Sequence, residues 1–193
     1  MRVLSIIAIS AVIATACSSE EEKTEEKEGP DQPVQEQTQM TPEDVLGELQ
    51  ELASNQQISK EIVDKMIDKT MLFHRSFPED ERTAEVLFMT AANAQMIGER
   101  GRDSGNPQTG YFHKCISLLD IIIADYPEFA DMKSVHSLKA VILDLDLEQK
   151  DEAVKAYQYL IDTYPEDTFN IENNWKVRIE NIDENPLDAI LAS

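Results

Sequence analysis

Few side chains in this chain of 193 residues are placed to do chemistry. They are Cys17 and Cys115, the histidines His74, His113 and His136, the carboxylates from Asp144 to Glu152, and Arg100 and Arg102 inside a glycine-rich stretch. Zinc-binding histidines pair at i, i+4 on one helix face beside a carboxylate, and no two of these histidines do so. Gly98, Gly101, Gly105 and Gly110 lack the lysine–serine/threonine pair and the preceding strand of a phosphate loop. Residues Gly98 to Gly105 read instead as a long inter-helix loop, with Arg100 and Arg102 as candidate partner contacts. Asp144, Asp146 and Glu148 alternate as calcium ligands do, but the mid-loop glycine and the closing glutamate are missing. With Asp151 and Glu152 they read as a solvated acidic turn. Cys115 falls within an apolar stripe, where a thiol is an inert core group. No Ser/His/Asp or Cys/His set stands out. The expectation is a protein without catalytic residues, metal site or diffusible cofactor. Trp175, the one tryptophan, reads as a core residue or as the lining of a partner groove.

Charge narrows the partners. There are 38 acidic and 17 basic residues, a formal charge of -21. Nucleic acid and anionic lipid headgroups are repelled by such a surface, whereas basic protein segments are attracted. Two cysteines exclude a disulfide scaffold.

Met1-Arg2 is a short positive segment, Val3 to Ile13 an apolar run, and Ala14-Thr15-Ala16 a small-residue cleavage region that ends at Cys17. The run is too short to cross a hydrocarbon core of about 30 Å as a helix. Residues 1–16 therefore read as a signal peptide. Ala14-Thr15-Ala16-Cys17 resembles the lipobox of bacterial lipoproteins, with Ile13 where leucine is usual. That resemblance implies cleavage between Ala16 and Cys17 and acylation of Cys17. Each buried CH₂ contributes about 0.8 kcal/mol, so two or three acyl chains give a firm anchor.

Residues 17–40 read as a tether. Ser18 to Glu28 is acidic and has no large apolar side chain, and a proline- and glutamine-rich run follows to Gln39. This composition cannot bury enough apolar area to offset chain entropy, so disorder is expected, with a reach of about 25 Å. The segment is a plain spacer or a sorting signal. Ser18-Ser19 followed by acids resembles the surface-export signal of lipoproteins in the Bacteroidota. Periplasmic and cell-surface display both stay open.

The elements that must position these residues are helices. From Thr41 onward apolar residues recur at helical spacing and no strand alternation is evident. Thr41 with Pro42 and Asp44 opens a first helix, Ser59 a second that stops at Phe77-Pro78, and a third covers about Thr83 to Ile97. Phe112, Cys115, Leu119, Ile122 and Tyr126 mark a fourth that opens at Asn106-Pro107. Val135, Leu138, Ile142 and Leu145 mark a fifth, and Ala153, Tyr157, Leu160 and Tyr164 a sixth. A capping helix spans about Asn170 to Ile182, with Lys176 and Arg178 expected in water, and a short turn runs on to Ile190.

Phe77-Pro78-Glu79, Tyr126-Pro127-Glu128 and Tyr164-Pro165-Glu166 close three helices at intervals of 49 and 38 residues. A small residue, an aromatic or large one, an apolar one and a proline recur as Cys115, Leu119, Ile122, Pro127 and as Ala153, Tyr157, Leu160, Pro165. Met66, Thr70, Phe73 and Pro78 keep only the spacing. This pattern resembles the second helix of tetratricopeptide (TPR) repeats, although the usual first-helix signature is missing. The resemblance covers roughly residues 58–182. It implies an all-α fold in which antiparallel helix pairs stack as a short TPR-like solenoid of about three pairs over residues 41–193.

In combination with the lipobox, the pattern is similar to outer-membrane TPR lipoproteins of the barrel-assembly and Tol-Pal coordinator type. What that similarity implies is a membrane-anchored adaptor in cell-envelope or outer-membrane assembly, its partner a β-barrel or secretion component. The runner-up is a surface lipoprotein accessory to glycan or nutrient uptake, which needs aromatic platforms. An enzyme ranks third.

Overall fold

The computed structural model describes residues 40–55, 57–106, 108–165 and 171–184. Their regular structure is helical throughout. Seven α-helices follow one another among them: α1 (Pro42–Ala53), α2 (Lys60–Ser76), α3 (Thr83–Asp103), α4 (Thr109–Asp125), α5 (Met132–Val141), α6 (Lys150–Thr163) and α7 (Ile171–Glu180). A π-helical segment, Ile142–Asp146, prolongs α5.

Local chemistry sets the starts and stops. The Thr41 hydroxyl accepts from the Asp44 N–H, and the Asp44 carboxylate accepts from the Thr41 N–H at 2.9 Å, which satisfies two orphan donors of α1. Ser59 caps α2 by accepting from the Ile62 N–H. At the other end, Phe77, Tyr126 and Tyr164 close α2, α4 and α6 in one conformation, with φ/ψ of -136/55, -131/55 and -124/56. Each donates its N–H to the carbonyl four residues back, in Phe73, Ile122 and Leu160. Proline follows in each case and has no N–H with which to continue the helix. Beyond the first two stops the chain turns identically. Asp80 and Phe129 donate to the Phe77 and Tyr126 carbonyls, and Thr83 and Met132 then donate to the Asp80 and Phe129 carbonyls.

The same three positions of α2, α4 and α6 are buried. They are Met66, Thr70 and Phe73, then Cys115, Leu119 and Ile122, then Ala153, Tyr157 and Leu160. Thr70, which has no aromatic ring to offer, satisfies its hydroxyl against that of Thr90 on α3 at 2.8 Å. The unequal intervals also have a structural origin. Helix α3 has 21 residues, whereas α5 and its π segment have ten and five, and α4 has 17 against 14 in α6.

Two expectations from sequence are corrected here. Gly98 to Gly105 is not a long loop, because α3 continues to Asp103. Gly98 and Gly101 are buried helix positions where a neighbour comes too close for a side chain: a Cβ on Gly98 would lie 2.7 Å from the Phe112 ring. The apolar stripe of α5 does not run on to Leu145, which is 39% exposed. The wider π winding breaks the 3.6-residue spacing there and buries Ile142, Leu143 and Asp144 instead.

Consecutive helices pack on one another. Helices α2 and α4 point the same way: Asp64 near the start of α2 meets Tyr111 and Lys114, and His74 near its end meets Tyr126. Between them α3 runs the opposite way, since its early Ala84 lies beside Tyr126 and its late Gly98 beside Phe112. Three buried clusters result. One joins α1, α2 and α3 through Leu49, Met66, Phe73 and Val86, a central one holds Leu87, Phe112, Cys115 and Leu119, and a third holds Leu143, Tyr157, Leu160 and Trp175.

The glycines give a direct test. Gly47 is exposed in α1 and a Cβ there meets nothing within 4 Å. Gly47→Ala should stabilise the protein by about 0.5–1 kcal/mol in thermal unfolding. Gly98→Ala should destabilise it, because overpacking of about 1–3 kcal/mol outweighs the same gain in helix propensity. Equal stabilisation by both substitutions would contradict the close packing of α3 on α4.

Candidate functional site

The two congruent turns lie side by side and form a groove. Pro78, Ala84, Tyr126, Pro127 and Phe129 supply apolar surface, in an open volume of about 510 Å³. The Phe129 ring is held edge-on to Phe88 with centroids 6.1 Å apart. Five carboxylates, Glu79, Asp80, Glu81, Asp125 and Glu128, also line the groove, and among the described residues no lysine or arginine does. Asp80 is engaged: it accepts from Arg82 Nε at 2.8 Å and Nη2 at 2.6 Å, and that hydrogen bonding lowers its pKa to about 2. Asp125 lies 3.5 Å from His74 Nε2, and His74 Nδ1 is 2.8 Å from the Tyr126 hydroxyl. Glu79, Glu81 and Glu128 are exposed and make no ion pair among the described residues.

A second polar centre lies inside the protein. Asp144 has no solvent exposure. Its Oδ1 accepts from Lys150 Nζ and Arg178 Nη2, both at 2.8 Å, and its Oδ2 accepts from Arg178 Nε at 2.5 Å and the Tyr157 hydroxyl at 3.2 Å. Arg178 spends its remaining donors on the carbonyls of Asn181, Ile182 and Glu184, at 2.7, 2.9 and 2.8 Å. All five guanidinium N–H groups thus have partners. Burial pushes the Asp144 carboxyl up, but the hydrogen bonds and charges of Arg178 and Lys150 outweigh it and leave its pKa below 3.8. Asp146 differs. Burial dominates there and raises its pKa despite an ion pair with Arg102.

This centre overturns two expectations. The acidic run is solvated only in part: Glu148, Asp151 and Glu152 are exposed, but the Asp144 and Asp146 side chains are buried and charge-paired within the fold. Arg178 does not face water but is 7% exposed, whereas Lys176 is exposed. A signal existed in the sequence for Asp144 alone, which falls among Val141, Ile142, Leu143 and Leu145, where an isolated carboxylate needs a buried partner.

The remaining candidates are also placed. Cys115, Leu119, Ile122, Ala153, Tyr157 and Leu160 are all core residues, while Pro127 and Pro165 sit exposed at helix ends. Burial pushes the Cys115 thiol up to about 12, out of the reactive range. Arg100 donates from Nη1 to the Ile58 carbonyl at 2.8 Å, and Arg102 pairs with Asp146, so both cations already have partners in the fold. Trp175 is buried in the third cluster. Ala16 and Cys17 lie outside the described residues, as does the turn expected to end at Ile190. Among the described residues no three histidines, cysteines or carboxylates converge as metal ligands, and no helix is long and apolar enough to cross a membrane.

Comparison with known proteins gives no matching family model, no matching curated relative and no matching solved structure.

The buried pair predicts a large mutational effect. Asp144→Ala leaves Arg178 and Lys150 without their counter-charge and should cost about 3–5 kcal/mol, which lowers Tm by about 10 °C. Because the folded pKa of Asp144 lies below 3.8, its contribution is complete above that value and is lost as pH falls through the folded pKa. Asp80, held near 2, acts in the same direction. Resistance of the protein to urea should therefore fall below pH 4, and Asp144→Asn should flatten that dependence. An unchanged Tm in Asp144→Ala would contradict the role given to this pair.

Proposed function

We propose that this protein is a lipid-anchored adaptor whose TPR-like helical repeats bind a protein partner in cell-envelope or outer-membrane assembly. The observation that carries the reading is the repeated unit. Helices α2, α4 and α6 bury the same three positions and end in the same aromatic–proline stop, and two of those ends continue into bond-for-bond equivalent turns. Repetition of this kind suits stacked helix pairs, in which each unit buries its apolar face against the next and leaves extended surfaces for binding. The solenoid arrangement, with α1, α3 and α5 as the first helices and α7 as a cap, is part of the same proposal.

The anchor follows from Ala14-Thr15-Ala16-Cys17. Acyl chains on Cys17 would restrict the protein to a membrane surface. The charge of -21 favours basic partners and disfavours nucleic acid. The glycan-uptake alternative draws no support from Trp175, which is buried.

The test combines fractionation with crosslinking in the native cells. The full-length protein should sediment with membranes, carry an acylated N-terminal Cys17 by mass spectrometry, and crosslink in stoichiometric yield to one envelope protein. Cys17→Ser should move it to the soluble fraction. Membrane association that survives Cys17→Ser would contradict the anchor, and recovery of the protein alone at high crosslinking yield would contradict the adaptor.

A further inference from the structure

We infer that the groove between the Pro78 and Pro127 turns docks a basic extended segment of a partner protein, with lysine or arginine side chains flanking an apolar one. The inference rests on the adaptor reading and goes further by naming the surface and the chemistry it accepts. The occupant is selected by complementarity. The apolar surface of Ala84, Tyr126, Pro127 and Phe129 suits an apolar side chain, and the carboxylates beside it suit cations. Of those carboxylates Asp80 is committed to Arg82 and Asp125 faces His74, which leaves Glu79, Glu81 and Glu128 for a ligand.

Two other occupants match less well. A single metal ion needs several ligands converging on one point, and no three carboxylates converge among the described residues. Charges spread over two turns instead reward cations spaced along a chain. A second copy of this protein, at a formal charge of -21, brings more repulsion than attraction to an acidic groove. The groove is also built by the repeat itself, since both walls are the same helix-closing turn. Its floor rests on the central core through Ala84, Tyr126 and Phe129, while Glu79, Glu81 and Glu128 are exposed.

The test is selection of a random-peptide phage library on the mature full-length chain. Enriched peptides should carry lysine or arginine beside an apolar residue. Their affinity should fall about tenfold or more in Glu79→Lys/Glu128→Lys, and it should weaken as salt is raised. Both positions are exposed, so the variant keeps its fold, which circular dichroism checks. The control Glu51→Lys/Asp68→Lys changes the net charge equally on exposed residues outside the groove and should retain binding. No enrichment, or equal loss in groove and control variants, would overturn the groove as a specific site. The adaptor reading fails separately, when crosslinking in cells yields no partner. A partner that crosslinks in cells while the groove binds no peptide would retain the adaptor and refute this surface.

Discussion

A carboxylate closed off from water must find its counter-charge within hydrogen-bond distance, and Asp144 imposes that constraint on the C-terminal third of the described fold. Leaving such a group unpaired costs several kcal/mol, a large share of the about 5–15 kcal/mol that separates folded from unfolded chains. Three elements meet to avoid that cost. The π segment turns Asp144 inward, α6 brings Lys150 and Tyr157, and α7 brings Arg178. Arg178 then gathers the carbonyls of residues 181, 182 and 184, so the chain after α7 is fixed by the same guanidinium. A hydrocarbon pair could fill the same volume, but it would offer no directed bonds to those carbonyls. Here the ion pair specifies where the last helix sits.

Upstream, geometry is imposed by proline and by packing. Each aromatic–proline stop ends a helix at the same point relative to its three buried positions. The turn that follows therefore starts in the same place and makes the same bonds, although the intervals are 49 and 38 residues. The extra length is absorbed within helices, and it stays compact because Gly98 lets α3 approach the Phe112 ring. A surface built from two such turns inherits their regularity, which is how a structural repeat becomes a groove.

Much of this was legible in the sequence. Helical periodicity, the Thr41 and Ser59 caps and the proline stops gave the elements to within a few residues, because those signals are local. The burial of Cys115 and Ala153 followed from register alone. What was not legible depends on distant partners. Nothing within a few residues of Arg178 reveals that Asp144 waits 34 positions earlier. Gly98 and Gly101 carry the composition of a loop, and only the ring across from Gly98 shows why a helix needs glycine there. The groove has no local sequence signal for a related reason. Glu79 and Glu128 are 49 residues apart and become neighbours only when the turns are stacked side by side. The proposed lipidation of Cys17 is the reverse case, since it rests on Ala14 to Cys17 and on no fold at all.

The docking of a partner in the turn groove stands most directly on which face of the helices meets another protein in the cell. A photoreactive amino acid placed at position 128 of the full-length protein, and separately at position 51, measures that in living cells. A partner held by the turn groove gives one protein crosslinked from position 128 and not from 51, with the linked peptide rich in lysine or arginine. Crosslinks equal from both positions, or none from 128, contradict it.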